Sequence, residues 1–196
     1  MNMSSKGLLL TGLLALGTGL PALAALQEGA AAPEFRAQAS MKGKPFTYSL
    51  KDALKKGPVV VYFYPAAYTG GCNIQAHTFA KNYDKFTAAG ASVIGVSLDK
   101  ISTLNEFSAD PEYCAGKLPV ASDADGKIAK SYELKVSDAR AGFKNTKGQE
   151  IDHGFTERTT FVVTPDGKIP ATIGQMKPDE NVLKALETVQ TLAGKK

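Results

Sequence analysis

The sequence predicts an α/β protein in which helices flank a mixed central β-sheet, and three observations carry that expectation. Two runs, Val59-Val60-Val61-Tyr62-Phe63-Tyr64 and Ser92-Val93-Ile94-Gly95-Val96-Ser97-Leu98, are apolar with little alternation, the pattern of strands buried on both faces. Between them Phe79, Tyr83 and Phe86 recur at helical spacing and Gly90 offers a stop. Strand, helix and strand in that order imply parallel strands joined by a right-handed crossover. A third run, Thr160-Phe161-Val162-Val163-Thr164, enters the turn sequence Thr164-Pro165-Asp166-Gly167-Lys168 and returns along residues 169–174. That antiparallel return makes the sheet mixed.

In chain order, the first segment reads as a leader. Residues 1–24 carry one charge, Lys6, then an apolar stretch, then Pro21-Ala22-Leu23-Ala24. This is the layout of a secretory signal peptide cut after Ala24, leaving one domain over 25–196 in a periplasmic or secreted setting. Gly and Thr interrupt the stretch and no basic cluster follows it, which argues against a retained span. Residues 27–57 are polar and mixed, with short extended stretches at 35–38 and 46–50. After the second central strand, Leu104 with Phe107, and Ile128 with Ala129 and Tyr132, mark two short helices. Pro170 places the returning strand at a sheet edge. The last helix opens near Pro178-Asp179-Glu180, where Pro and acids suit a first turn, and carries Val182, Leu186 and Val189 on one face.

A chain of 196 residues fits one domain, and 43% hydrophobic with 21% charged residues excludes disordered and fibrous classes. The net charge of +4 comes from interleaved residues, too dispersed for nucleic-acid or anionic-membrane binding. Two cysteines, Cys72 and Cys114, make no disulfide-dense scaffold and no Cys-x-x-Cys pair, though an oxidising compartment permits a bridge between them. No Gly-rich phosphate loop follows a strand, and no cofactor is called for.

Directly after the first central strand comes Pro65-Ala66-Ala67-Tyr68-Thr69-Gly70-Gly71-Cys72, at the start of the amphipathic helix. A thiol in a first helical turn meets unpaired N–H groups and the positive end of the macrodipole, which favour the thiolate, the nucleophilic form. Thr69 can aim a hydroxyl at an oxygen held by the sulfur, and Pro65 can shield the pocket from water. Taken alone, Cys72 is better read as a small core residue, the commonest fate of a lone Cys.

Pro-x-x-x-Thr-x-x-Cys after an apolar strand, followed by residues 93–97, Pro119-Val120-Ala121-Ser122-Asp123 and Arg158-Thr159-Thr160-Phe161-Val162-Val163, resembles the peroxiredoxins, most closely the bacterioferritin-comigratory branch. The resemblance implies a thioredoxin-like fold and a thiol-dependent peroxidase acting on hydrogen peroxide or organic hydroperoxides. By position it makes Cys72 the peroxidatic nucleophile, with Thr69 bonding the peroxide, Pro65 packed over the sulfur, and Arg158 stabilising thiolate and leaving oxygen. It further implies a thioredoxin-type reductant and a monomer or weak homodimer.

The chain departs from that branch at two positions. His77 stands where many members have a second cysteine, and Gln75 where a Glu is common. Cys114 is then the remaining candidate to resolve Cys72 as an intramolecular disulfide, in a Pro- and Gly-containing segment expected to be exposed and mobile; a one-cysteine cycle is the other form. Tyr68 is expected at the pocket mouth or in solvent. A metal site of Cys72, His77 and His153 is not indicated, because five residues turn a helix by about 140° and part the first two. The competing class is a non-catalytic thioredoxin-like binding or redox-chaperone module with a structural Cys72–Cys114 disulfide.

Overall fold

The computed structural model describes residues 25–194, so the expected leader lies outside the described residues. The chain opens with a hairpin of β1 (Arg36–Met41) and β2 (Lys44–Ser49), followed by α1 (Leu50–Leu54), whose first turn is capped by Ser49 accepting from Asp52 N. Then come β3 (Val59–Phe63), α2 (Gly70–Ala88), β4 (Ser92–Ser97), α3 (Ile101–Ala109), β5 (Val120–Ser122) and α4 (Lys127–Ser131). A short ribbon of β6 (Val136–Ser137) and β7 (Phe155–Thr156) precedes β8 (Thr159–Val163), β9 (Ala171–Gly174) and α5 (Pro178–Ala193).

Seven strands form one sheet in the order β2-β1-β5-β4-β3-β8-β9. The pairs β3/β4 and β4/β5 are parallel, while β8 runs antiparallel to β3 and β9 to β8. The expected crossover unit, the hairpin and the edge position of the Pro170 strand are therefore all present. Each residue of β3 is buried because successive side chains enter opposite cores. Val60 and Tyr62, with Tyr64 just beyond, pack with Phe79 and Phe86 of α2, Phe107 of α3 and Val182 and Val189 of α5. Val59, Val61 and Phe63 pack on the other side with Leu50, Ala129, Tyr132 and Phe161. Gly95 is demanded by this packing: a Cβ there would lie 2.5 Å from the ring of Tyr62, its partner across β3/β4.

Three features differ from expectation. The stretches near 35–38 and 46–50 extend into a full hairpin, and α1 follows it directly. β5 is a three-residue strand, and the excursion between β6 and β7 is mostly irregular. Segments this short carry no periodicity to read.

Candidate active site

Thr69, in extended backbone conformation (φ −109°, ψ 149°), ends the loop after β3 and caps α2. Cys72 therefore sits in the first turn of a 19-residue helix, at the end where the macrodipole is positive. The side chain is buried, at 2% exposure. Arg158, which immediately precedes β8, reaches across from the neighbouring strand and donates from Nη2 to Cys72 Sγ at 3.3 Å. Register explains the approach. Phe63 pairs with Thr159, so Arg158 lies beside the end of β3 from which the Cys72 loop departs. Gly71 leaves room for the guanidinium: a Cβ there would stand 3.0 Å from Arg158 Nη2 and 3.3 Å from Pro178 Cγ.

Arg158 is held from behind. Its Nη1 donates to Gln75 Oε1, Gln75 Nε2 donates to Asn181 Oδ1 at 3.1 Å, and Asn181 Nδ2 donates to the Ile173 carbonyl at 2.9 Å. Thr160 Oγ1 donates to the same Asn181 oxygen at 2.5 Å. Gln75 and Asn181 are fully buried, so an amide chain replaces the acidic partner a Glu would supply. Sequence reasoning passed over Asn181 and Gly71. A polar residue on the apolar stripe Val182, Leu186, Val189 was the available signal for the first, and the doubled glycine before the cysteine for the second.

The other expected site residues fall as follows. Thr69 lies in the loop with its hydroxyl donating to the Ala66 carbonyl at 2.8 Å, and Pro65 is half-buried after β3. Tyr68 corrects the expectation of a mouth or solvent position. It is fully buried, edge-on to Phe107 and Tyr113 with ring centroids 5.0 and 5.7 Å apart, and Lys147 Nζ lies 3.7 Å from its ring centroid.

Cys114 corrects another expectation. The segment is not open: the thiol is fully buried in the core with Leu104, Phe107 and Leu118, and burial pushes it well above its ordinary range, with Asp110 adding to the effect. His77 reaches from α2 to this segment, its Nδ1 2.8 Å from the Glu112 carbonyl. The two cysteines are not bonded to one another. His153 lies apart from both, against Asp99, and among the described residues no three metal-ligating side chains gather. Arg158 also lines a cleft of about 1260 Å³ together with Lys135, Glu157 and Met176; Cys72 is not among its lining residues.

The thioredoxin-like fold and the relatives that share it are those of a thiol peroxidase. The model of the AhpC/TSA family matches residues 29–172. The chloroplastic peroxiredoxin Q of Sedum lineare is 32% identical over 172 residues, covering 86% of this chain and 81% of that protein. The putative peroxiredoxin bcp of Helicobacter pylori is 30% identical over 164 residues, 84% of this chain and 98% of that one. Among solved structures, peroxidoxin BcpB from Mycobacterium tuberculosis superposes with a TM-score of 0.70 at 28% identity over 85% of this chain and 97% of the other. Peroxiredoxin Q of Xanthomonas campestris, at 24% identity and a TM-score of 0.67 over 86% of this chain and 98% of the other, shows the same fold. The chain belongs to the AhpC/TSA family.

Proposed function

We propose that Cys72 is the peroxidatic residue, and the observation that carries this is the Arg158 guanidinium 3.3 Å from a sulfur in the first turn of α2. The thiolate attacks the nearer oxygen of a hydrogen or organic hydroperoxide; the S–O bond forms as O–O breaks. Two electrons pass from sulfur to peroxide, leaving a sulfenic acid and, once protonated, water or an alcohol. Fixed donors beside both anions lower the barrier because they need no reorganisation when charge moves. Thr69 bonds the bound peroxide and Pro65 covers the sulfur.

Resolution follows as Cys114 attacks the sulfenic sulfur, forming Cys72–Cys114 and releasing water, after which a thioredoxin-type dithiol takes the disulfide back to two thiols. Segment 111–117 must open for this, since Cys114 is fully buried. That burial supports a second reading, in which an external thiol reduces Cys72 directly. Mass spectrometry after one equivalent of peroxide separates them: an intramolecular disulfide within the turnover time is expected, and Cys114→Ser then leaves Cys72 as sulfenic or sulfinic acid. Wild-type protein that accumulates a mixed disulfide only with added thiol overturns the first reading, and peroxidase activity surviving in Cys72→Ser overturns both. The leader pattern supports export to the periplasm or beyond, where the protein works as a monomer or weak dimer; fractionation of cells and the mass of the exported chain test this.

A further inference from the structure

The loop that carries Thr69 and leads to Cys72 does not keep its shape unaided. Tyr68 has φ 58°, a left-handed conformation costly for a bulky side chain, so outside contacts must hold it. They come from the excursion between β6 and β7. Thr146 donates to the Tyr68 carbonyl from both its N, at 2.8 Å, and its Oγ1, at 2.9 Å, and Asn73 Nδ2 of α2 lies 3.4 Å from the same hydroxyl. The excursion is anchored in turn by His153. Its Nε2 stands 3.1 Å from Asp99 Oδ1 and its Nδ1 2.7 Å from the Gly154 carbonyl. Asp99, just past β4 and 3% exposed, uses its other oxygen to accept from Ala67 N at 2.8 Å and Ser97 Oγ at 2.7 Å.

Both ring nitrogens of His153 face oxygens that only accept, a carboxylate and a carbonyl. A neutral imidazole donates from one nitrogen, so this geometry is satisfied by the imidazolium. We propose that Asp99 and protonated His153 form a positioning pair that straps the excursion 138–154 onto residues 67–68 and so holds the Cys72 loop ready for peroxide. This rests on the reading of Cys72 as the peroxidatic residue. Asp99 raises the His153 pKa above its ordinary 6.5, by hydrogen bond and by charge, against an opposing desolvation effect that is larger than either contribution alone. The other groups about the pair are Asp152, itself bonded to Lys100, and the Tyr64 phenol facing Asp99; Asp152 reinforces the imidazolium. As pH rises and His153 becomes neutral, one of its two bonds is lost and the strap loosens.

Three measurements test the pair in the full-length reduced protein. The chain has two histidines, so imidazole NMR signals are assigned with His77→Gln, and His153 is expected to titrate above 6.5. Protection of the Ala67 amide, the slowing of its exchange relative to an unprotected amide at the same pH, should be high in wild type and fall on the alkaline side of that titration, and should be low at all pH values in Asp99→Asn. The rate of Cys72 oxidation by hydrogen peroxide should be about tenfold lower in His153→Gln than in wild type below the titration, the ratio collapsing toward one above it. The ratio compares the two proteins at each pH, and a merely structural role would leave it flat with pH. A ring titrating at or below 6.5, a flat ratio, or Ala67 protection indifferent to ring protonation overturns the proposal. If His153→Gln does not fold, ring titration and Ala67 exchange in wild type decide it. If wild-type protein ignores peroxide, the peroxidatic reading fails while these same two arms still judge the strap.

Discussion

Arg158 divides one guanidinium between two jobs, Nη2 on the Cys72 sulfur and Nη1 on Gln75, so its value depends on being held as well as on being charged. Replacing Arg158 by Met should slow Cys72 oxidation about 10²–10³-fold, the range for deleting one fixed donor to a developing anion. Lys should recover only part of the loss, because an ammonium cannot make the two-pronged contact. Stopped-flow or quench measurements at limiting peroxide read both. Gln75→Ala should cost about 1–3 kcal/mol in a urea melt, since it leaves an amide and a guanidinium N–H unpaired in a buried place, and should slow oxidation although Gln75 never touches the sulfur. A slowed rate with unchanged stability would show that the amide chain serves Arg158 alone.

The segment from Pro111 to Lys117 is a run of turns packed on the side of the sheet that holds Tyr62 and Phe107. It turns through two left-handed residues, Ala115 at φ 52° and Gly116 at φ 64°, yet buries Cys114 completely. Side chains tie it to α2 at two points, the hydrogen bond from His77 to the Glu112 carbonyl and the exposed pair Lys117–Asp84 at 3.6 Å. Breaking one such bond is worth about 0.5–1.5 kcal/mol, so His77→Ala should raise the rate of Cys114 alkylation roughly two- to tenfold in a Cys72→Ser background, read by mass spectrometry. An unchanged rate would mean that the segment opens by a route that leaves His77 in place. In α5 the polar Asn181 interrupts an apolar stripe and is bonded on three sides, so the helix both closes the core and braces Gln75.

Across the molecule, burial raises the titration of Cys114 and of Tyr48, Tyr62, Tyr64 and Tyr132, all above their ordinary values. The unfolded chain sheds these protons first as pH climbs, so the stability they protect is complete below about 9 and is lost progressively above it. His153 adds an earlier loss of the same sign, full below 6.5 and fading as pH rises through its raised value. Urea melts from pH 6 to 10.5 should thus show a decline in two stages, with His153→Gln flattening the first and Cys114→Ala easing the second. The exposed pairs Lys55–Asp52 and Lys184–Glu187 contribute little to either.

What could be read in advance was whatever neighbouring residues specify among themselves. The uniform burial of β3 and β4, the helix stop at Gly90, the turn at residues 164–168 and the Pro65, Thr69, Cys72 spacing all depend on a few consecutive positions. Short β5, the β6/β7 excursion, the burial of Cys114 and Tyr68, and the meeting of His153 with Asp99 had no such local mark. The contact between Arg158 and Cys72 spans 86 positions and that between Gln75 and Asn181 spans 106. Both follow from the antiparallel register of β8 on β3 and the packing of α5 against α2, since partners far apart in the chain meet only when whole strands and helices settle on one another.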